Sequence, residues 1–193
     1  YMKTVMCLVR HGQTDWNKNL LIQGTIDNPL NDYGRETTKK SIETIKELNI
    51  EFDTFLSSPL SRAIETGEII KRGLGFNGEI KIIPGLIERD FGLLEGKKVC
   101  KESYDLMKIG IEGLEMLPEL QERALKTILD INRLFPSKKI LITTHSQFIK
   151  GLLSKVLDDF DFSYPLKNNS LTLTLLVIIK SCFIVPNSVF KIP

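Results

Sequence analysis

The strongest constraint on this chain is an alternation of two hydrophobic periods that runs nearly end to end. Residues 4–9 (TVMCLV), 53–57, 79–83 and 139–144 (KILITT) are short apolar runs of strand length, several rich in β-branched residues. Between them, apolar residues recur at helical spacing. Asn31 is placed to cap a helix reaching Leu48, with Thr38, Ile42, Ile45 and Leu48 on its inner face. Ser58 followed by Pro59 predicts an N-cap and first helical position, with the helix ending near Arg72. Pro118 opens another helix carrying Leu120, Ala124, Ile128, Ile131 and Phe135, and residues 147–157 show a broad apolar face from Phe148 to Leu157. Residues 171–179 and 182–185 close the chain as a strand pair turning at Lys180-Ser181. Strands alternating with helices predict an α/β fold, a three-layer α/β/α sandwich around a mostly parallel central sheet. Ligands of such sheets bind beyond the carboxyl ends of the strands.

Composition narrows the function. The 193 residues fit one domain spanning 1–193, and no Pro/Ser/Gly-rich linker divides them. With 26 basic against 24 acidic side chains, a dedicated nucleic-acid partner is not expected. Two histidines and three scattered cysteines give neither a zinc cluster nor a disulfide framework, so no metal, no cofactor and reduced thiols are expected. The first residues read as a strand rather than a signal peptide. The most apolar run, 171–179, is far short of the roughly 20 residues of a membrane helix. A cytoplasmic domain without a membrane partner is expected. The apolar final strands offer a sheet edge for pairing, so a homodimer is one outcome the sequence allows.

Both histidines fall just after predicted strands: His11, behind Arg10, follows the first, and His145 follows 139–144. Taken singly, each also reads as a loop or capping histidine. Arg62 lies in the first turn of its helix, where a cation gains nothing from the helix dipole. It reads either as half of a surface salt bridge or, with Arg10, as a fork-shaped donor to a shared anion. Two arginines and two histidines on one rim form a phosphate pocket suited to phosphoryl transfer, where positioning and charge stabilisation carry most of the catalysis.

The ordered motifs resemble one family. Residues 8–17 (LVRHGQTDWN) resemble the RHG motif of the histidine phosphatase superfamily, the phosphoglycerate mutase-like proteins. Gln23-Gly24, Asp27-Asn28-Pro29-Leu30-Asn31 and Gly34 follow in its order, as do residues 57–66 (SSPLSRAIET), 88–96 (ERDFGLLEG), Thr144-His145-Ser146 and Asn169-Ser170. The resemblance implies a histidine acid phosphatase-type phosphomonoesterase acting on a small phosphorylated substrate. His11 is then the nucleophile that forms a phosphohistidine, with its other ring nitrogen bonded to a carbonyl near Gly12. Arg10, Arg62 and His145 bind the equatorial oxygens, and Glu88 acts as general acid and then base. Asn17 adds a phosphate contact, Thr14 and Gln23 line the substrate end, and Gly24 and Ser146 belong to the matching motifs. Within residues 88–95, Asp90 and Glu95 compete with Glu88 for the acid role.

Several residues depart from the family pattern. Gln13 stands where Glu is frequent, and Ser146-Gln147 where Gly-Gly is common. Glu115, with Arg123 at the matching distance, either anchors the rim or lies exposed. Residues 73–78 (GLGFNG) fit G-x-G-x-x-G literally, but a helix precedes them and a strand follows, the reverse of a dinucleotide site. They read as a helix end, with Gly73 suited to the left-handed cap. Two rival functions stand beside the phosphatase: a bisphosphoglycerate-dependent mutase, and a non-catalytic scaffold for phosphorylated ligands. The mutase must shield its phosphohistidine from water, whereas the cover expected at 101–117 is short. Tyr104, Leu106, Met107, Ile109, Ile111, Leu114 and Met116 in that cover serve either helical packing or an apolar roof.

Overall fold

The computed structural model describes residues 4–163, 165–179, 182–184 and 191–192. In chain order these form β1 (Thr4–Arg10), α1 (Asp15–Lys18), α2 (Asp32–Glu47), β2 (Thr54–Ser57), α3 (Ser61–Gly73), β3 (Ile80–Ile82), α4 (Lys101–Ile109), α5 (Leu117–Leu134), β4 (Lys139–Thr144), α6 (Ser146–Val156), β5 (Leu171–Ile179), β6 (Cys182–Ile184) and β7 (Lys191–Ile192). The sheet order is β3-β2-β4-β1-β5-β6, with β7 also paired to β5. Strands β3, β2, β4 and β1 run parallel, whereas β5 is antiparallel to β1, β6 and β7.

The unbroken apolar runs of the sequence follow from helices on both sheet faces. Along β1, Met6 and Leu8 join Leu56, Ile140 and Ile142 in a core against α5 and α6, built on Ala124, Ile128, Ile131, Phe148 and Ile149. The alternate residues Cys7 and Val9 join Phe55 and Leu141 against Ile45 of α2 and Ile70 of α3. The period-two pleat therefore feeds two cores, and each buried Leu or Ile contributes about 1.5–3 kcal/mol. The expected three layers are present.

Local details differ from the sequence reading in instructive ways. Strand β1 extends through Arg10, so His11 follows it directly. Helix α2 begins where Asn31 predicts, with the Asn31 side chain accepting from the Gly34 N–H at 2.8 Å. Helix α3 starts at Ser61 rather than Pro59, and its N-cap Leu60 offers no side-chain bond. The cap comes from outside the segment: Asp27 Oδ1 accepts from the Ser61 N–H at 2.8 Å and from its hydroxyl at 2.7 Å. Gly73 remains helical, and the left-handed residue is Gly75, at φ +69°. The final strands pair as expected between 177–179 and 182–184, while Lys180, Ser181 and Val185 lie outside the described residues.

Residues 101–117 comprise α4 and the loop that leads into α5. Leu106 and Met107 of α4 and Ile111, Leu114 and Met116 of the loop pack with Ile22, Phe91 and Leu94. Tyr104 and Ile109 are exposed. No helix among the described residues is long and apolar enough to cross a membrane.

Candidate active site

The sheet order brings three motifs to one rim. Ladder partners Arg10–Thr144 and Ser57–Thr143 end β1, β4 and β2 side by side. Two further rungs tie the loops beyond them: the His11 N–H donates to the Thr144 carbonyl and the Ser58 N–H to the Thr143 carbonyl, each at 3.0 Å. The His11 and His145 rings consequently lie 5.2 Å apart between centroids, tilted by 59°. Gly12 is required by close packing: a Cβ there would meet Thr38 Oγ1 at 2.7 Å and the Gly34 carbonyl at 2.9 Å.

Both rings are buried. His11 Nδ1 lies 2.7 Å from the Gly12 carbonyl, which can only accept, so Nδ1 carries the hydrogen and Nε2 keeps its lone pair in the neutral ring. Burial, then the charges of Arg62 and Arg10, push the His11 pKa well below 6.5, against the opposing bond to Gly12. Burial likewise pushes His145 well below its usual value, reinforced by Arg62, His11, Arg10 and Arg123. His145 Nε2 lies 2.7 Å from Ser58 Oγ, and its Nδ1 is buried without a hydrogen-bond partner among the described residues.

Arg62 has 0% exposure, which overturns the surface salt-bridge reading. Its Nη1 and Nη2 donate to the carbonyls of Ile26 and Gly24, both at 2.8 Å. Arg10 Nη1 donates to the Leu166 carbonyl. The Nε atoms of both guanidiniums are buried and have no partner among the described residues. Burial pulls Arg10 down to about 10 and is reinforced by Arg62, while Glu88 opposes it; Arg10 stays charged at neutral pH. Burial also lowers Arg62, opposed by Glu88, Asp27 and Glu95. Buried cations with free donors demand an anion, and a phosphoryl group has oxygens for both forks.

Glu88 is the buried acid of its cluster. Oε1 accepts from the N–H groups of Arg89 at 2.9 Å and Phe148 at 3.1 Å, and Oε2 accepts from Gln147 at 3.2 Å. Gln147 and Phe148 belong to the first turn of α6, whose N–H groups have no intrahelical acceptor. Asp90 is exposed, with Oδ1 on the Gly92 N–H, and Glu95 Oε1 holds the N–H groups of Thr25 and Phe91. Neither rival acid sits on α6 beside His145. Glu115 is ion-paired with Arg123, which resolves its two readings in favour of an anchor.

Of the remaining predicted residues, Asn17 and Gln23 are linked through Thr14. Thr14 caps α1 by accepting from the Asn17 N–H, and its hydroxyl lies 2.8 Å from Gln23 Oε1. Asn17 Oδ1 faces the Thr14 N–H and hydroxyl, both at 3.2 Å. Gly24, at φ +56°, supplies one of the Arg62 carbonyls. Ser146 opens α6 and is half-buried. Gln13 Oε1 accepts from Asn31 Nδ2 at 3.1 Å, so this departure from the family pattern supports the α2 cap instead of His11.

Asn168 escaped the sequence reading. Its Nδ2 donates to the carbonyls of His11 at 3.0 Å and Gly12 at 3.2 Å, and lies 3.3 Å from Asn17 Oδ1. The available signal was the repeated asparagine, since Asn169 takes the left-handed φ of +59° that asparagine tolerates. Among the described residues, no group of three or more His, Cys, Asp or Glu is arranged to hold a metal ion.

Comparison with known proteins identifies the family. The model of the histidine phosphatase superfamily (branch 1) matches residues 6–182. An uncharacterized phosphatase, PhoE, from Bacillus subtilis is 35% identical over 153 residues, covering 79% of this chain and 77% of that protein. A 2,3-bisphosphoglycerate-dependent phosphoglycerate mutase from Parvibaculum lavamentivorans is 32% identical over 176 residues, covering 80% of each. In fold, the chain is similar to a phosphoserine phosphatase mutant from Entamoeba histolytica in complex with phosphoserine, with a TM-score of 0.76, 24% identity and 94% of each chain covered.

Proposed function

The chain belongs to the histidine phosphatase superfamily (branch 1), an enzyme of phosphatase or mutase type, and from that premise we propose that it hydrolyses phosphomonoesters through a phosphohistidine on His11. The observation that carries this reading is the neutral, buried His11, its Nδ1 tied to Gly12 and its ring flanked by Arg10, Arg62 and His145. His11 Nε2 attacks phosphorus as the ester P–O bond breaks, and Arg10, Arg62 and His145 hold the equatorial oxygens. Glu88 protonates the departing alkoxide; Oε2, which accepts only one backbone bond, is the oxygen that hands over the proton. Water then attacks the phosphohistidine, giving its proton to Glu88 and releasing orthophosphate and free His11. Thr14, Asn17, Gln23, Gly24 and Ser146 shape the substrate end. The substrate is a small phosphorylated molecule.

Hydrolysis is preferred to transfer because the cover is a nine-residue α4 and a short loop, which leaves the phosphoenzyme open to water. The mutase is the second reading, favoured by the 32% identical mutase relative. One experiment separates them: orthophosphate release from p-nitrophenyl phosphate and 3-phosphoglycerate in EDTA, run beside a mutase assay with bisphosphoglycerate. Metal-independent release that vanishes in His11→Ala supports the phosphatase. Mutase turnover without release overturns it.

A further inference from the structure

Ser58, a helix cap by sequence, is buried and spends its groups elsewhere. Its N–H donates to Thr143, its carbonyl accepts from Ser57 Oγ at 2.9 Å, and its Oγ accepts from the Leu60 N–H at 3.3 Å. The remaining neighbour of Oγ is His145 Nε2, at 2.7 Å. A hydroxyl has one proton to give and two lone pairs to offer. With Leu60 on one lone pair, Nε2 is the acceptor that the described residues provide for the Ser58 proton. A hydrogen on Nε2 would turn two donors toward Oγ and strand the proton of a hydroxyl on a fully buried residue, an outcome native interiors rarely tolerate. Protonating both ring nitrogens is opposed by burial and by the positive charges of Arg62, Arg10 and Arg123 around the ring.

We propose that Ser58 is a positioning residue that sets the tautomer of His145, donating to Nε2 and thereby fixing the ring hydrogen on Nδ1. Nδ1 is buried and has no hydrogen-bond partner among the described residues. The two histidines then differ in the edge they offer. His11 keeps a lone pair at Nε2, because its hydrogen is committed to Gly12. His145 keeps an N–H at Nδ1, because its lone pair is committed to Ser58. One ring can attack phosphorus while the other donates to an oxygen of the same group, and no further charge is buried beside the arginines. That division of labour rests on the phosphomonoesterase reading; the tautomer does not.

The test is long-range proton–nitrogen NMR on the full chain labelled with ¹⁵N-histidine, which reports the hydrogen position on each ring, with the His11→Ala spectrum assigning the two. Across neutral pH, His145 should carry its hydrogen on Nδ1, in the wild type and in Ser58→Thr. In Ser58→Ala the ring should shift toward a tautomer mixture. Orthovanadate affinity and kcat/KM for p-nitrophenyl phosphate should then fall about tenfold or more, short of the roughly 10²–10³-fold that follows loss of an oxyanion donor itself. Ser58→Thr should restore both. A wild-type His145 with its hydrogen on Nε2, or as an imidazolium, overturns the proposal, as does an unchanged Nδ1–H tautomer in Ser58→Ala. Should Ser58→Ala fail to fold, the wild-type and Ser58→Thr spectra decide alone. The expected tautomer in a protein that releases no phosphate contradicts the phosphomonoesterase reading while upholding the role of Ser58.

Discussion

Glu115 and Arg123 meet at two points, Nε to Oε1 at 2.7 Å and Nη2 to Oε2 at 2.8 Å. With its charge balanced there, Arg123 gathers three carbonyls of the preceding loop: Gly85 at 2.8 Å, Ile87 at 3.0 Å and Glu88 at 3.3 Å. Its guanidinium also lies 5.8 Å from the ring centroid of Phe148, whose N–H holds the Glu88 carboxylate. The proposed acid is therefore fixed at both its backbone and its side chain.

Arg123→Met should cost about 2–4 kcal/mol in urea unfolding, since it strands a largely buried carboxylate and three carbonyls. It should also lower kcat more for an alkyl phosphate than for p-nitrophenyl phosphate, whose leaving group needs little protonation. Equal losses on the two substrates would reduce Arg123 to a structural part.

His11→Ala should lose about 10⁴-fold or more of phosphate release, because a nucleophile and the steps built on it act as a unit. Rapid alkaline quench in detergent after labelled substrate should trap an alkali-stable, acid-labile phosphoenzyme in the wild type and none in the variant. A labelled variant would move the nucleophile elsewhere.

Acidification should loosen the fold through the two histidines. Above the unfolded value of 6.5, neither state binds the protons and stability is level. Below it, the unfolded chain takes up protons that the buried rings refuse, so stability falls with pH, by up to about 1.4 kcal/mol per pH unit for each ring. Urea midpoints measured at several pH values should slope this way, and His145→Gln should flatten the slope. For the same reason, kcat/KM should show no loss at pH 6.5 from protonation of His11.

Gly24→Ala should damage the pocket at a distance. The position has a left-handed φ of +56°, and a Cβ there would lie 1.8 Å from Glu95 Oε1. Strain and collision together should cost about 2–4 kcal/mol. Displacing the Gly24 carbonyl also frees one arm of Arg62, so vanadate affinity should weaken. An unchanged affinity would detach Arg62 from this support.

Much of the site was legible because strand ends can be read from apolar runs, and parallel neighbours then bring distant residues together. His11, His145 and Arg62 were found this way, and the ordered motifs added Glu88 and the Glu115–Arg123 pair. What escaped reading depends on backbone groups or on contacts distant in sequence. The α3 cap is supplied by Asp27 from across the fold, so the local Ser58-Pro59 signal misplaced the helix start. The Glu88 carboxylate is held by N–H groups of α6, which every residue possesses and no residue type reveals. Asn168 supports the carbonyls of His11 and Gly12 from the far end of the chain.

Apolar residues of 101–117 pack with Ile22, Phe91 and Leu94 in a cluster of their own, apart from the two cores that grip the sheet. Residues of α4 can therefore change without loosening the strand ends that carry His11, Arg62 and His145. Under the proposed function, with 101–117 as the cover, selection on which molecule is admitted is uncoupled from selection on how phosphate is transferred. Descendants of one such chain can inherit the chemistry intact while diverging in diet.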